Sequence, residues 1–255
     1  MTLVNMQESG TLIVSGASRG IGAAIARLAG QRGYAVAVNF NSGETEAKKI
    51  AREIVDAGGR AVAIRADVSC EDDILGLFQT AECELGPIKA LVNNAGITGG
   101  FARVENVTAE AIERTFAVNV TGAILCAREA VQRMSTRHGG SGGAIVNISS
   151  IAARTGAAGE WVHYAAAKGA IDTFTVGLAR EVATEGIRVN AVKPGLVDTD
   201  IHAASGEPGR LQRLMPTIPM NRAGQPHEIA EAVLWLLSPA ASYVTGSILE
   251  IGGGR

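Results

Sequence analysis

Short, nearly continuous apolar runs recur along the chain, each followed by a turn rich in small residues and then by a stretch of helical length. The runs are Thr11–Ser15, Ala35–Val38, Ala61–Ile64, Ala90–Val92, Ala144–Ile148, Ile187–Val192 and Ser247–Ile251. Most lack strict apolar–polar alternation, which predicts strands covered on both faces in a parallel sheet. Between them lie helical patterns at Ala23–Gln31, closed by Gly33, and Glu44–Ala57, stopped by Gly58-Gly59. Ser69-x-x-Asp72 reads as a capping box opening a third helix. Thr108 caps a long pattern through Phe116, Ile124 and Val131, and a later helix runs through Phe174, Leu178 and Val182. Pro226 sits at the start of the last helix, which reaches Leu237. Alternating strands and helices predict one doubly wound α/β domain of Rossmann type over residues 1–255, with about seven mostly parallel strands and helices on both faces. No internal repeat and no separate substrate domain is visible. The connection Asp200–Gln225 is long for a compact domain, and long loops at such places are commonly lids, so 196–225 is read as a substrate lid. Within it lie His202, Glu207, Arg210 and Arg213.

Composition narrows the class. The 255 residues are 47% hydrophobic and carry a net charge of −2, so nothing argues for nucleic acid or an anionic membrane surface as a partner. Three cysteines, Cys70, Cys83 and Cys126, are an odd number without metal-ligand spacing. They suggest a reduced, cytoplasmic chain and no metal site. Residues 1–10 lack the pattern of a signal peptide. The uncharged stretch Ala232–Leu249 is interrupted by Ser238, Pro239, Thr245 and Gly246, and reads as helix, turn and strand rather than a membrane span.

The first strand enters Gly16-Ala17-Ser18-Arg19-Gly20-Ile21-Gly22 ahead of an alanine-rich helix. A strand, a glycine turn and a helix start form the setting in which backbone amides cradle a pyrophosphate; a purely structural turn remains the alternative. The second strand ends in Asn39-Phe40-Asn41-Ser42, where an NAD site often carries an acid. Uncharged residues there do not repel a 2′-phosphate, and Arg19 is placed to pair with one, which favours NADP(H) over NAD(H). Alternatively Arg19 is only a solvated charge. Asp67-Val68 ends the third strand, where Asp67 meets either an adenine amino group or only its own turn. Asn94-Ala95-Gly96 ends the fourth, where small residues admit a ligand or a neighbouring backbone. Asn119 lies within an apolar helical stretch and needs hydrogen-bond partners; it either bridges backbones or anchors a water or a lysine.

Tyr164 and Lys168 stand four apart across three alanines, so on a helix they point the same way. A free phenol titrates near pH ~10, and a nearby cation lowers that value. Ser149-Ser150 end the fifth strand, at the edge where open α/β sheets bind ligands.

Ser15-Gly16-x-x-x-Gly20-Ile21-Gly22, Asn93-Asn94-Ala95-Gly96, the set Ser150…Tyr164-x-x-x-Lys168, and Pro194-Gly195 after the sixth strand resemble the short-chain dehydrogenase/reductase family in order and spacing. The resemblance covers nearly the whole chain. It implies a tetrad. Asn119 would hold a water, and Ser150 the substrate oxygen. Tyr164 would act as acid or base. Lys168 would bind the nicotinamide ribose and lower the Tyr164 pKa. The interval from Ser150 to Tyr164 is one residue longer than is common, so Ser149 stays an alternative. Trp161 in the intervening loop is a candidate pocket wall, and His163 a structural residue. The backbone at Val197 and the hydroxyl of Thr199 would lie near the carboxamide. The implied activity is NADP(H)-dependent interconversion of a small-molecule carbonyl and a secondary alcohol, in a homotetramer or homodimer. A 3-oxoacyl-carrier-protein reductase is a close rival, but Glu185 stands where a second basic residue beside Arg137 would be expected for an acidic carrier. A sugar dehydrogenase fits as well, and a non-catalytic NADP(H) sensor is the rival from another class.

Overall fold

The computed structural model describes residues 10–199 and 207–255. Seven strands form one sheet: β1 (Thr11–Val14), β2 (Ala35–Phe40), β3 (Arg60–Arg65), β4 (Ile88–Asn93), β5 (Gly143–Ile148), β6 (Ile187–Pro194) and β7 (Ile248–Ile251). Their order is β3-β2-β1-β4-β5-β6-β7, and every pairing is parallel. The doubly wound expectation is therefore met, with the sheet parallel throughout rather than mostly so.

Period-two side chains divide two cores. Leu12, Val14, Val36 and Val38 face α1 (Gly20–Gln31), α2 (Glu44–Asp56) and a late helix over Pro226–Leu237. Ile13, Ala35 and Ala37 face α3 (Glu71–Leu85) and the helices on the other side. These are α5 (Gly122–Met134) and α7 (Val162–Glu181), while α4 (Ala109–Phe116) and the short α6 (Ala152–Thr155) pack against α7. In chain order α8 (Arg210–Leu214) then precedes the late helix, α9 (Pro226–Leu237). None of the helices among the described residues is long and apolar enough to cross a membrane.

Strand order reverses between β1 and β4, and there the two strand ends are stitched together. Ser15 Oγ accepts the amides of Asn94 and Ala95 at 2.9 and 3.0 Å. The Asn94 side chain donates back to the carbonyls of Ser15 and Gly16, each at 2.9 Å. The approach is so close that a Cβ at Gly16 would lie 2.8 Å from the Ala95 Cα. This is the crevice in which doubly wound sheets bind ligands.

Two local expectations are corrected. The capping box at Ser69-x-x-Asp72 does not form. The Ser69 hydroxyl instead donates to Asp67, the helix begins at Glu71, and Asp73 accepts the amide of Asp67 at 2.8 Å. A carboxylate two residues back outcompetes the helix amides for that hydroxyl. The long pattern after Thr108 is also not one α-helix: Ala117–Thr121 winds as a π-helical turn between α4 and α5. Thr108 does cap α4, accepting the Ala111 amide at 3.1 Å.

Just past that turn, Gly122 lets α5 pass against the turn that follows β3; a Cβ there would meet the Val68 carbonyl oxygen at 2.3 Å. Gly122→Ala is expected to destabilise the fold by about 1–3 kcal/mol through overpacking. Thermal unfolding should show it as a fall of roughly 2–4 °C per kcal/mol. An unchanged melting temperature would contradict this packing.

Candidate active site

One cleft of about 590 Å³ runs along the C-terminal ends of the strands, from Asn41 and Asp67 at one end to Trp161 and Arg210 at the other. Except for Asn119, all the residues proposed from the sequence line it.

At the glycine turn, Gly16 and Gly20 have φ of 62° and 56°, a conformation that glycine adopts without steric penalty. Helix α1 starts after Arg19 with no side chain capping its first turn. Uncapped amides facing a crevice suit an anion. The exposed Arg19 lies beside them, and Thr199 sits over Gly20, its Cγ2 3.4 Å from where a Cβ would stand. Ser18, Ile21 and Gly22 complete this wall. By donor set and shape, a dinucleotide pyrophosphate fits the turn.

The next segment is more committed to structure than the sequence suggests. Asn39 is buried: its Oδ1 accepts the Gly16 amide at 3.1 Å, and its Nδ2 donates to the Ile64 and Ala66 carbonyls. It therefore shapes the turn, and the exposed Asn41 and Ser42 are the polar groups presented to the cleft. Asn41 Nδ2 donates to Asp67 Oδ2 at 3.0 Å, and Arg114 pairs with the same oxygen at 2.9 Å. Partial burial pushes the Asp67 carboxyl up, but its bonds from Ser69 and Arg114 prevail and bring its pKa down to about 2. Arg114, far along the chain, had no signal in the sequence.

Further along the cleft the backbone of β5 hands over to α7. Tyr164 and Lys168 are both buried on α7, with Lys168 Nζ 5.7 Å from the phenol ring centre. The ammonium donates to the Ile148 carbonyl at 2.6 Å. Burial pulls its pKa down to about 8, against the carboxylate of Asp172. The two adjacent serines part company. Ser149 turns to α7 and donates to Asp172 Oδ1 at 2.6 Å. Ser150 lines the cleft, accepts the Ala152 amide at 3.1 Å, and stands close enough to the Tyr164 phenol for its hydroxyl to act on it. Burial raises the phenol's pKa; the Ser150 hydroxyl and the charge of Arg210 act in the opposite direction.

Asn119 stands behind this group. Its side chain takes the Ile97 amide at 2.9 Å and gives to the Ile97 carbonyl at 2.7 Å, so it bridges backbones. A Cβ at Gly96 would lie 2.8 Å from Asn119 Oδ1 and 3.6 Å from Lys168 Nζ, so these three positions touch. Beyond β6, Pro194, Gly195 and Val197 form the facing wall, with Gly195 packed against Gly252.

At the far end Trp161 was a candidate wall and Arg210 lay in the candidate lid, while Glu160 and Arg255 had no signal in the sequence. Glu160, Trp161, Arg210 and Arg255 converge there. Trp161 packs edge-on to Tyr164 with ring centres 6.1 Å apart, and the Arg210 guanidinium lies 4.1 Å from the Trp161 ring centre. Glu160 is bound by Arg210 at 2.7 Å and by Arg213 at 2.8 Å. His163, read as structural, is buried against Gly99 rather than facing the cleft; a Cβ on Gly99 would meet its Nε2 at 2.6 Å. His202 lies outside the described residues.

A family model described as Enoyl-(Acyl carrier protein) reductase, of the adh_short_C2 type, matches residues 16–255. The chain is 53% identical over 243 residues to an uncharacterised oxidoreductase, YgfF, of Escherichia coli K12, covering 95% of this chain and 98% of that one. It is 38% identical over 244 residues to glucose 1-dehydrogenase 2 of Bacillus subtilis, covering 96% and 93%. Among solved structures, a blue fluorescent protein from a metagenomic library, in complex with NADPH, superposes with a TM-score of 0.88 at 34% identity, covering 96% of this chain and 97% of that one. With this cleft and these matches along nearly its full length, the chain belongs to the short-chain dehydrogenase/reductase family of oxidoreductases.

Proposed function

We propose that the protein is an NADP(H)-dependent oxidoreductase acting on a small carbonyl compound or the corresponding secondary alcohol. The observation that carries this reading is the meeting of Ser150 and Tyr164 in one cleft above a buried Lys168. When bound, the nicotinamide supplies or accepts the hydride. The protein's share is positioning and proton transfer. Ser150 Oγ already accepts the Ala152 amide, so its own proton is available to the substrate oxygen or to the phenol. Tyr164 gives its proton to the carbonyl oxygen in reduction and takes it from the alcohol in oxidation. Lys168, fixed by the Ile148 carbonyl, holds the floor of the site, and its remaining N–H groups would bind a ribose. Gly16, Ser18, Gly20, Ile21 and Gly22 would hold the pyrophosphate, with Asp67 and Val68 beside the adenine. Asn94, Ala95 and Gly96 would flank the nicotinamide half on one side, and Pro194, Gly195, Val197 and Thr199 on the other.

The preference for NADP(H) is supported by Arg19 at the uncapped helix start and by the absence of an acid among Asn39, Asn41 and Ser42. The NADPH complex of the metagenomic relative is consistent with it. A carrier-protein substrate is disfavoured, because Arg137 is tied to Glu185 at 3.2 Å instead of standing as an unpaired cation. A homotetramer or homodimer belongs to this proposal. Exposed Trp235 and Tyr243 near β7, and Ile112 and Ile124 on α4 and α5, are apolar surface that copies would cover.

Tyr164→Phe should lower turnover by at least about 10²–10⁴-fold, while NADPH binding, followed by fluorescence, is retained. Near-wild-type turnover in that variant would end the mechanism. Arg19→Ala should weaken NADPH binding about tenfold or more and NADH binding much less. Equal losses would remove Arg19 from the 2′-phosphate.

A further inference from the structure

Among the described residues, two guanidinium groups, Arg210 and Arg255, and one side-chain carboxylate, Glu160, line the substrate end of the cleft. Glu160 is the acid there, and both of its oxygens are engaged. Oε2 receives Arg210 through Nε at 3.0 Å and through a terminal nitrogen at 2.7 Å, and Oε1 receives Arg213 at 2.8 Å. Arg210 is buried and stacked on Trp161, so its position is set by the wall it helps to build. Arg255 lines the same end of the cleft and is half-buried. Its backbone is held: the amide donates to the Gly252 carbonyl at 3.2 Å, and the carbonyl accepts Arg154 at 2.8 Å. Among the described residues, its guanidinium has no hydrogen-bond or ion-pair partner. It feels Arg210 as a like charge and Glu160 as an opposite one, and burial acts against its charged form. A partly desolvated guanidinium whose fork meets no acceptor among the described residues is a group prepared for an anion. A carboxylate matches that planar fork with two parallel hydrogen bonds.

We infer that the natural substrate is an oxo or hydroxy acid, whose carbonyl or alcohol oxygen sits at Ser150 and Tyr164 and whose carboxylate is bound by Arg255, with Arg210 adding to the local positive field. This inference rests on the reductase reading and adds a substrate class to it. Neutral sugars and simple ketones would leave Arg255 without a partner. Its role is therefore in specificity: it binds the distal group and takes no part in the proton transfer.

The test measures initial rates with NADPH on pairs of oxo acids and their methyl esters that share the same carbonyl, with uncharged ketones alongside, and the reverse reaction on hydroxy acids and on glucose. The wild-type protein should favour acid over ester by about tenfold or more in kcat/KM, mainly through KM. In Arg255→Gln the acid-to-ester ratio should collapse toward one, and Arg255→Lys should restore part of it. As a measurement on the unaltered protein, benzoate should inhibit ester reduction competitively, and benzamide should do so far less. A wild-type enzyme that treats acid and ester alike, or an unchanged ratio in Arg255→Gln, overturns the inference. If uncharged substrates turn over and Tyr164→Phe abolishes that turnover, the reductase reading survives such a failure. No turnover on any arm, with NADPH bound, overturns both.

Discussion

A cation is buried where the sheet ends, and the site is built around keeping it there. Lys168 is only 4% exposed, and a buried ammonium without partners costs several kcal/mol. Its first partner is the Ile148 carbonyl, the last residue of β5. Its second is the field of Asp172, one turn further along α7. Asp172 is in turn held by Ser149 from the β5 end and by Lys193 from β6 at 2.9 Å. These contacts tie α7 to the ends of two neighbouring strands. Once α7 is fixed there, Tyr164 one turn earlier has no choice of position, and Ser150 meets it.

The chemistry follows from the balance of charge around that phenol. Burial holds Tyr164 in its protonated form. Ser150 and Arg210 offset this only in part, since the pKa still lies above the ordinary value. Lys168, pulled down to about 8, carries less of its charge near neutral pH than a surface lysine would. The polypeptide alone thus presents a protonated phenol, the form that the proposed carbonyl reduction requires. Making it a base requires further positive charge close to the phenol, which an oxidised nicotinamide would bring. Arg210 stacks on Trp161, which packs edge-on to Tyr164, so this wall of the cleft and the phenol share one electrostatic environment.

Much of this was legible in the sequence, for physical reasons. Strands covered on both faces leave continuous apolar runs, so all seven were visible, with ends moved by only a residue or two. The four-residue spacing of Tyr164 and Lys168 survives any uncertainty in helix ends. The choice between Ser149 and Ser150 was open because neighbouring residues at a strand end face opposite ways, and only the position of α7 decides which way is inward. Asn39 looked like a ligand-facing residue, yet the parallel register places it where three backbone groups need its amide. The π-helical turn at Asn119 has no compositional mark, because one extra residue in a helix preserves the apolar pattern on either side. Arg114, Glu160 and Arg255 are scattered through the chain as ordinary surface-type charges, and only the tertiary fold brings Arg114 to Asp67 at one end of the cleft and Glu160 and Arg255 to Arg210 at the other.

The most direct test of this electrostatic picture is the titration of the Tyr164 phenol itself. Its ultraviolet absorption can be isolated as the difference between the wild-type protein and the variant with phenylalanine at 164, first in the protein alone and then saturated with NADP⁺. A titration above pH ~10 in the protein alone, moving to lower pH with NADP⁺ bound, is the predicted result. A phenol that already ionises well below pH ~10 in the protein alone, or one that does not respond to NADP⁺, would contradict it.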